Sequence, residues 1–164
     1  MKIRVGFGFD VHQLKNGLPF SLGGIIIPHE KGAAGHSDAD VVIHAICDAL
    51  LGAAGLRDIG NQFPDTAAEF KGIDSKILLS RVMALLLKEY YVVGNIDVTL
   101  CLEKPKINAY IEEMRKVLAA VMHVEVSAIS IKATTNEKMG FIGREEGVAA
   151  YAVVLIEKNV SITD

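Results

Sequence analysis

The sequence contains no tryptophan, four prolines and two cysteines, and aromatic residues make up only 6 % of its 164 positions. The two cysteines, Cys47 and Cys101, lie inside apolar runs. That excludes a disulfide scaffold and reads as two buried thiols in a reducing compartment. Neither sign of charge is in large excess, with 17 Lys and Arg against 20 Asp and Glu. At a pI near 5.9 the chain has no basic stripe, which excludes nucleic-acid binding through a phosphate footprint. No apolar run is long and uninterrupted enough to cross a bilayer. Lys2 and Arg4 lead into alternating residues rather than an apolar leader, so a cytoplasmic protein is expected. Repeats, linkers and low-complexity segments are also missing. What remains is a 51 % hydrophobic chain of mean hydropathy +0.33. It is long enough for one domain over residues 1–158, with apolar surface to spare for self-association and a disordered tail at 159–164.

Hydrophobic period sets the element order. Ile3, Val5, Phe7 and Phe9 alternate with Lys2, Arg4, Gly6 and Gly8, which predicts a strand over 2–10. Two short apolar runs around Gly23-Gly24 predict a hairpin, and the stretch 29–35 reads as a polar loop. A helix follows, with Asp38 as its expected N-cap and an end near Gly52 or Gly55. Ser75 is the expected cap of a second helix. A strand over 92–103, a helical stripe from Ile107 to Val121, a short strand over 128–135 and a last strand over 147–158 complete the pattern. This order predicts an α+β fold, a mixed β-sheet with helices on one face. The last strand is apolar on both faces, and one face is expected to meet another subunit.

Three clusters carry chemistry. Within GHSDADVVIHAICDAL (Gly35–Leu50), Asp40, His44 and Asp48 recur every four residues on a helix that is otherwise apolar. Asp10 and His12 share one side of the first strand, and Gly6 and Gly8 on that side leave room for something to approach. Together Asp10, His12 and His44 offer two imidazoles and a carboxylate, the three-ligand set of a catalytic zinc site with an open position. Asp40 and Asp48 are expected to hold the ring of His44. A hydrogen-bonded core histidine beside aspartates is the alternative.

The second cluster, KATTNEKMGFIGR (Lys132–Arg144), mixes hydroxyls, Glu137, cations and glycines at a strand exit. It suits anionic oxygens with a hard divalent cation, or a solvated turn, and it lacks the spacing of a nucleotide P-loop. In the third, Asp58-Ile59-Gly60 and Phe63-Pro64-Asp65-Thr66, the acids either take polyol hydroxyls or solvate a long loop.

The ordered strings GFDVH, GHSDADVVIHAICDALLGA, DIGNQFPDT, KGIDS, KPKI, KATTNEKMGFIGR and EEG resemble those of the 2-C-methyl-D-erythritol 2,4-cyclodiphosphate synthase family. The resemblance implies a homotrimer whose sheets face the threefold axis, with active sites between subunits. It implies that the 2-phosphate of 4-diphosphocytidyl-2-C-methyl-D-erythritol 2-phosphate attacks the β-phosphorus, closing a ring and releasing CMP. Asp10, His12 and His44 would then bind Zn2+, and Glu137 would help hold Mg2+ or Mn2+ on the diphosphate. His36 and Thr135 would support the transition state. Ser37, Asp58, Gly60, Phe63, Asp65, Leu102, Lys106, Ala133, Thr134, Phe141 and Arg144 would contact substrate, with Leu102, Lys106 and Ala133 lining a cytidine pocket on the neighbouring subunit. The chain departs from relatives at Ala67-Ala68, where another acid is common, and at Tyr151, where some carry an acid in the central channel. A non-catalytic trimeric sensor of metal and nucleotide is the alternative from a different class.

Overall fold

The computed structural model describes residues 3–64 and 67–159. Five strands form one mixed sheet in the order β4-β1-β7-β5-β6, where β1 is Ile3–Asn16, β4 Lys31–Ala34, β5 Tyr91–Cys101, β6 Ile129–Thr134 and β7 Gly147–Lys158. Only β5 and β6 run parallel; β4–β1, β1–β7 and β7–β5 are antiparallel. A two-residue-per-arm hairpin, β2 (Ser21–Leu22) with β3 (Ile25–Ile26), stands apart from the sheet at the expected place. The helices α1 (Val41–Ala54), α3 (Ser75–Lys88) and α4 (Ile111–Met122) pack on one face. α2 (Ile59–Gln62) and α5 (Gly140–Gly143) are single turns within the Asp58–Thr66 and Lys132–Arg144 clusters.

The central contact is between α1 and β1. Gly6, Gly8, Asp10 and His12 share the face of β1 that meets the helix, as the alternation of a strand requires. A Cβ placed on Gly6 would lie 1.9 Å from the Ala49 carbonyl oxygen, and one on Gly8 would lie 2.0 Å from that of Ala45. Backbone meets backbone there, so the room these glycines leave is filled by α1 itself rather than by a ligand. The helix can lie this close because it presents alanines, Ala45, Ala49 and Ala53, to the strand.

The remaining sides of α1 are buried as well. Val41, Val42, Ile43, Ile46, Leu50 and Leu51 are sealed in the core with Val148, Ala150, Ala152 and Val154 of β7. His44, Asp48 and exposed Gly52 mark the polar stripe.

Several element ends differ from those read in sequence, for identifiable reasons. β1 runs on to Asn16 because Gln13–Asn16 pair with β4, a partner that no local pattern announces. Asp40, not Asp38, is the N-cap of α1, and Asp74, not Ser75, caps α3. In both cases the capping carboxylate accepts backbone N–H groups of the first turn. The tail expected at 159–164 lies outside the described residues from 160 onward, and Asn159 donates its N–H to the Tyr90 carbonyl at 2.8 Å.

The opposite face of the sheet is open. Val5 and Phe7 are 66 % and 64 % exposed, and Phe9, Val11, Tyr151 and Val153 are also exposed beside them. Phe9 and Tyr151 stack with centroids 5.0 Å apart. An exposed apolar patch of this extent marks an interaction surface. Among the described residues, no helix is long and apolar enough to cross a membrane.

The α1–β1 contact gives a direct test. Gly8→Ala should cost about 3 kcal/mol or more, because the added methyl meets helix backbone that cannot turn aside. Gly52→Ala, where a Cβ meets nothing within 4 Å, should be neutral or stabilising by about 0.5–1 kcal/mol. Urea unfolding of both variants checks the contrast; equal midpoints would mean that the helix can move off the strand.

Candidate functional site

The register that seats Gly8 under Ala45 places the next inward residue of β1, Asp10, beside His44, the residue just before Ala45. His44 Nδ1 lies 3.0 Å from Asp10 Oδ2, His12 Nε2 lies 3.0 Å from the same oxygen, and the two ring nitrogens are 3.1 Å apart. Three donor atoms therefore face one point. The edges of this triangle approach the spacing of about 3.3 Å between donors bonded at about 2.0–2.1 Å to a tetrahedral ion. All three side chains are only partly buried, so one side remains accessible. The donor set, two imidazole nitrogens and a carboxylate oxygen with an open side, fits a divalent metal of the zinc type.

The electrostatics agree with this arrangement. Burial alone would raise the Asp10 carboxyl, but hydrogen bonds and charge from His12 and His44 outweigh it and hold the group well below the usual carboxylate range. Burial would lower His44, yet the bond to Asp10 and the nearby charges of Asp10, Asp40 and Asp38 raise it above its ordinary value.

Asp40 and Asp48 do not hold the ring of His44. The Asp40 carboxylate is taken up by four backbone N–H groups, those of Gly23, Gly24, Val42 and Ile43 at 2.7–3.1 Å. It fastens the hairpin turn to the start of α1. Asp48 accepts the Ile59 N–H at 2.8 Å and so fixes the start of α2. Two hydroxyls meet the far nitrogen of His44 instead: Ser37 Oγ is 3.0 Å and Ser75 Oγ 2.9 Å from Nε2. Sequence pattern treated Ser75 only as a helix cap, and only the packing of α3 against α1 reveals the contact.

A cavity of about 300 Å³ opens beside the triangle, lined by His12, His36, Ser37, His44, Gly60, Phe63 and their apolar neighbours. Asp58 caps α2 by accepting the Asn61 N–H at 2.8 Å, and Phe63 packs edge-on against Phe70. Asp65 lies outside the described residues.

The other group forms a second cavity of about 170 Å³. Leu102, Lys106, Ala133, Thr134 and Thr135 line it, with Ile107 and Asn108. At its rim Thr135 Oγ1 donates to Glu137 Oε1 at 3.1 Å. Glu137 and Lys138 both adopt left-handed backbone, φ 50° and 62°, which is costly for side chains with a Cβ. Glu103, a residue that no motif singled out, steadies this turn by accepting the N–H groups of Asn136 and Lys138 at 2.9 and 3.2 Å. Phe141 and Arg144 lie exposed beyond it, Arg144 in a two-bond pair with Glu146 at 2.9 and 3.0 Å.

Residues 3–157 match the model of the YgbB family. The chain belongs to the YgbB family. It is 65 % identical over 158 residues to a 2-C-methyl-D-erythritol 2,4-cyclodiphosphate synthase of Phocaeicola vulgatus, covering 96 % of this chain and 99 % of that one. A synthase of the same name from Bacteroides thetaiotaomicron is 62 % identical over 159 residues, 97 % and 100 % of the two chains. Among solved structures, the bifunctional IspDF of Campylobacter jejuni superposes with a TM-score of 0.93 at 38 % identity, over 96 % of this chain and 43 % of that longer one. A cyclodiphosphate synthase in a CDP-bound form gives 0.87 at 35 % identity, over 94 % and 100 %. The mixed sheet with helices on one face is thus the fold of this family.

The Asp10–His44 pair links stability to pH. A carboxyl held low contributes stability above its unfolded value near 3.9 and loses it as pH falls; a raised histidine contributes below its unfolded value near 6.5 and loses it as pH rises. In the metal-free protein the pair should therefore stabilise most between about pH 4 and 6.5. Above pH 6.5 the denaturation midpoint should fall faster for wild type than for His44→Gln. Parallel curves would show that the pair contributes nothing.

Proposed function

We infer that the chain is a 2-C-methyl-D-erythritol 2,4-cyclodiphosphate synthase, closing 4-diphosphocytidyl-2-C-methyl-D-erythritol 2-phosphate to the cyclic diphosphate with release of CMP. One observation carries this reading: in a YgbB chain, the Asp10–His12–His44 triangle opens on the same cavity as His36, Ser37 and Gly60. An oxygen of the 2-phosphate bonds to the β-phosphorus while the bond from that phosphorus to the CMP oxygen breaks. CMP leaves with the electron pair, so charge and atoms balance without an added nucleophile.

The nucleophile is already anionic, so the obstacle is bringing negative groups together rather than removing a proton. Zn2+ held by Asp10, His12 and His44, with Mg2+ or Mn2+ held through Glu137 beside Thr134 and Thr135, would supply the positive charge that an acidic protein lacks. The side chains do the rest. His36 and Ser37 stand at the edge of the first cavity to hold phosphate, and Asp58, Gly60, Phe63 and Asp65 take the polyol part. Leu102, Lys106 and Ala133 form the walls for the cytidine end, which accords with the CDP bound by a relative. Thr135, hydrogen-bonded to Glu137, would support the transition state with His36, and Phe141 and Arg144 would complete the substrate contacts.

A homotrimer gives both cavities a place. The apolar face of β1 and β7, with Phe7, Phe9 and Tyr151, is the surface that three copies would turn inward. The cytidine walls of one subunit would then face the metal triangle of the next. The same reading places the protein in the cytoplasm.

Phosphorus NMR with both metals and the cytidyl substrate should show CMP and a cyclic diphosphate appearing together. CMP with an open-chain product would identify a hydrolase, and no CMP from metal-loaded protein would identify a metal- and nucleotide-binding sensor. His44→Ala should lose bound zinc and at least about 100-fold in turnover, whereas Glu137→Gln should keep zinc and lose turnover alone. Phe7→Asp should shift the sedimentation coefficient from trimer to monomer; an unchanged value would remove this face from the interface.

A further inference from the structure

The hydroxyl of Ser75 has one hydrogen and two lone pairs. That hydrogen goes to Asp38 Oδ1, because an ionised carboxylate can only accept. Asp38 is anchored for that task, because its Oδ2 accepts the backbone N–H of Ser75 itself at 3.0 Å and its Oδ1 that of Asp40 at 3.2 Å. The Ser75 hydrogen is thereby committed to Asp38. What Ser75 turns toward His44 Nε2, 2.9 Å away, is a lone pair. Two lone pairs at that distance repel, so the hydrogen between them has to come from the imidazole. Asp10 makes the same demand on Nδ1, but His12 Nε2, 3.0 Å from Asp10 Oδ2, is a second donor there, whereas Ser75 has none but His44. Ser37 Oγ, 3.0 Å from the same nitrogen, also accepts the Ala39 N–H at 3.2 Å and fits either direction. Ser75 is the member of the set with no freedom.

We propose that the Asp38–Ser75 pair is a positioning device that keeps the His44 proton on Nε2 and so presents a bare Nδ1 to Asp10 and His12. The device rests on the reading of Asp10, His12 and His44 as the metal site, and explains how a ring with two unlike nitrogens is made ready for it. Left to Asp10 alone, 3.0 Å from Nδ1, neutral His44 would take the opposite tautomer, with its proton where the metal has to bind. Ser75 is fully buried, so no water substitutes for its hydroxyl. The pair also ties two helices together: Asp38 precedes α1, on which His44 lies, and Ser75 opens α3. Ligand orientation by a hydrogen bond to the far nitrogen is worth about 10–100-fold in metal affinity.

Nitrogen-15 NMR of the metal-free protein, at a pH where the imidazole is neutral, reads the tautomer without any metal. Wild type should show His44 with its proton on Nε2, Ser75→Ala a mixture or the reverse tautomer, and Ser75→Thr the wild-type pattern. In chelator competition, Ser75→Ala should bind zinc about 10–100-fold more weakly and Ser75→Thr within a few-fold of wild type. A wild-type proton on Nδ1, or an unchanged tautomer and zinc affinity in Ser75→Ala, overturns the proposal. Should Ser75→Ala not fold, the wild-type spectrum alone decides. If wild type shows the Nε2 proton yet binds no zinc, the proton arrangement stands and the metal reading falls.

Discussion

The close approach of α1 to β1 is the constraint on which everything else rests. Two glycines on the strand and three alanines on the helix bring the backbones together until a single methyl group would not fit. Because the strand alternates and the helix repeats near every fourth residue, the glycine–alanine contact runs in register. Gly6 faces Ala49 and Ala53 and Gly8 faces Ala45, and the next inward residue of the strand, Asp10, meets His44, the neighbour of Ala45. The polar triangle is the end of an apolar seam, and the two edges that His44 makes across it, 3.0 and 3.1 Å, are short because the seam holds the two elements so near.

That seam explains why a nearly all-apolar helix tolerates its polar stripe. Each charged or polar group on α1 has been given a specific task by a different neighbour. Asp40 is consumed by four N–H groups and ties the hairpin down, Asp48 fixes the start of α2, and His44 meets carboxylate, imidazole and hydroxyls at once. Burial is costly for such groups unless every one is paired. Among the described residues, no buried side-chain polar atom lacks a hydrogen-bond partner.

Much of this was legible in the residues, where local pattern and long-range packing agree. The alternation in β1, the apolar stripe from Ile107 to Val121 and the doubly apolar β7 pointed to the elements and to the open sheet face. The spacing of Asp10 and His12 with His44 pointed to one cluster. Misreadings arose where a partner distant in sequence decides. Gly6 and Gly8 suggested space for a ligand, and a helix occupies it. The stripe Asp40–His44–Asp48 suggested mutual support, yet a four-residue interval places groups on one side of a helix without aiming them at each other. Ser75 closes the KGIDS string without any role being legible in it and Glu103 belongs to no motif; only the meeting of α1 with α3, and of the Glu103 turn with the Glu137 loop, gives them roles.

All three donors of the triangle come from a single chain, two from one strand and one from the helix laid against it. Whatever covers the open face of the sheet, that covering lies on the side of β1 opposite to Asp10 and His12. Under the proposed function, loading of an ion and association of subunits would therefore be separable events in the life of the molecule. A newly folded chain would have the means to acquire an ion before it met another copy, and an assembly that came apart on dilution would have no structural reason to release it.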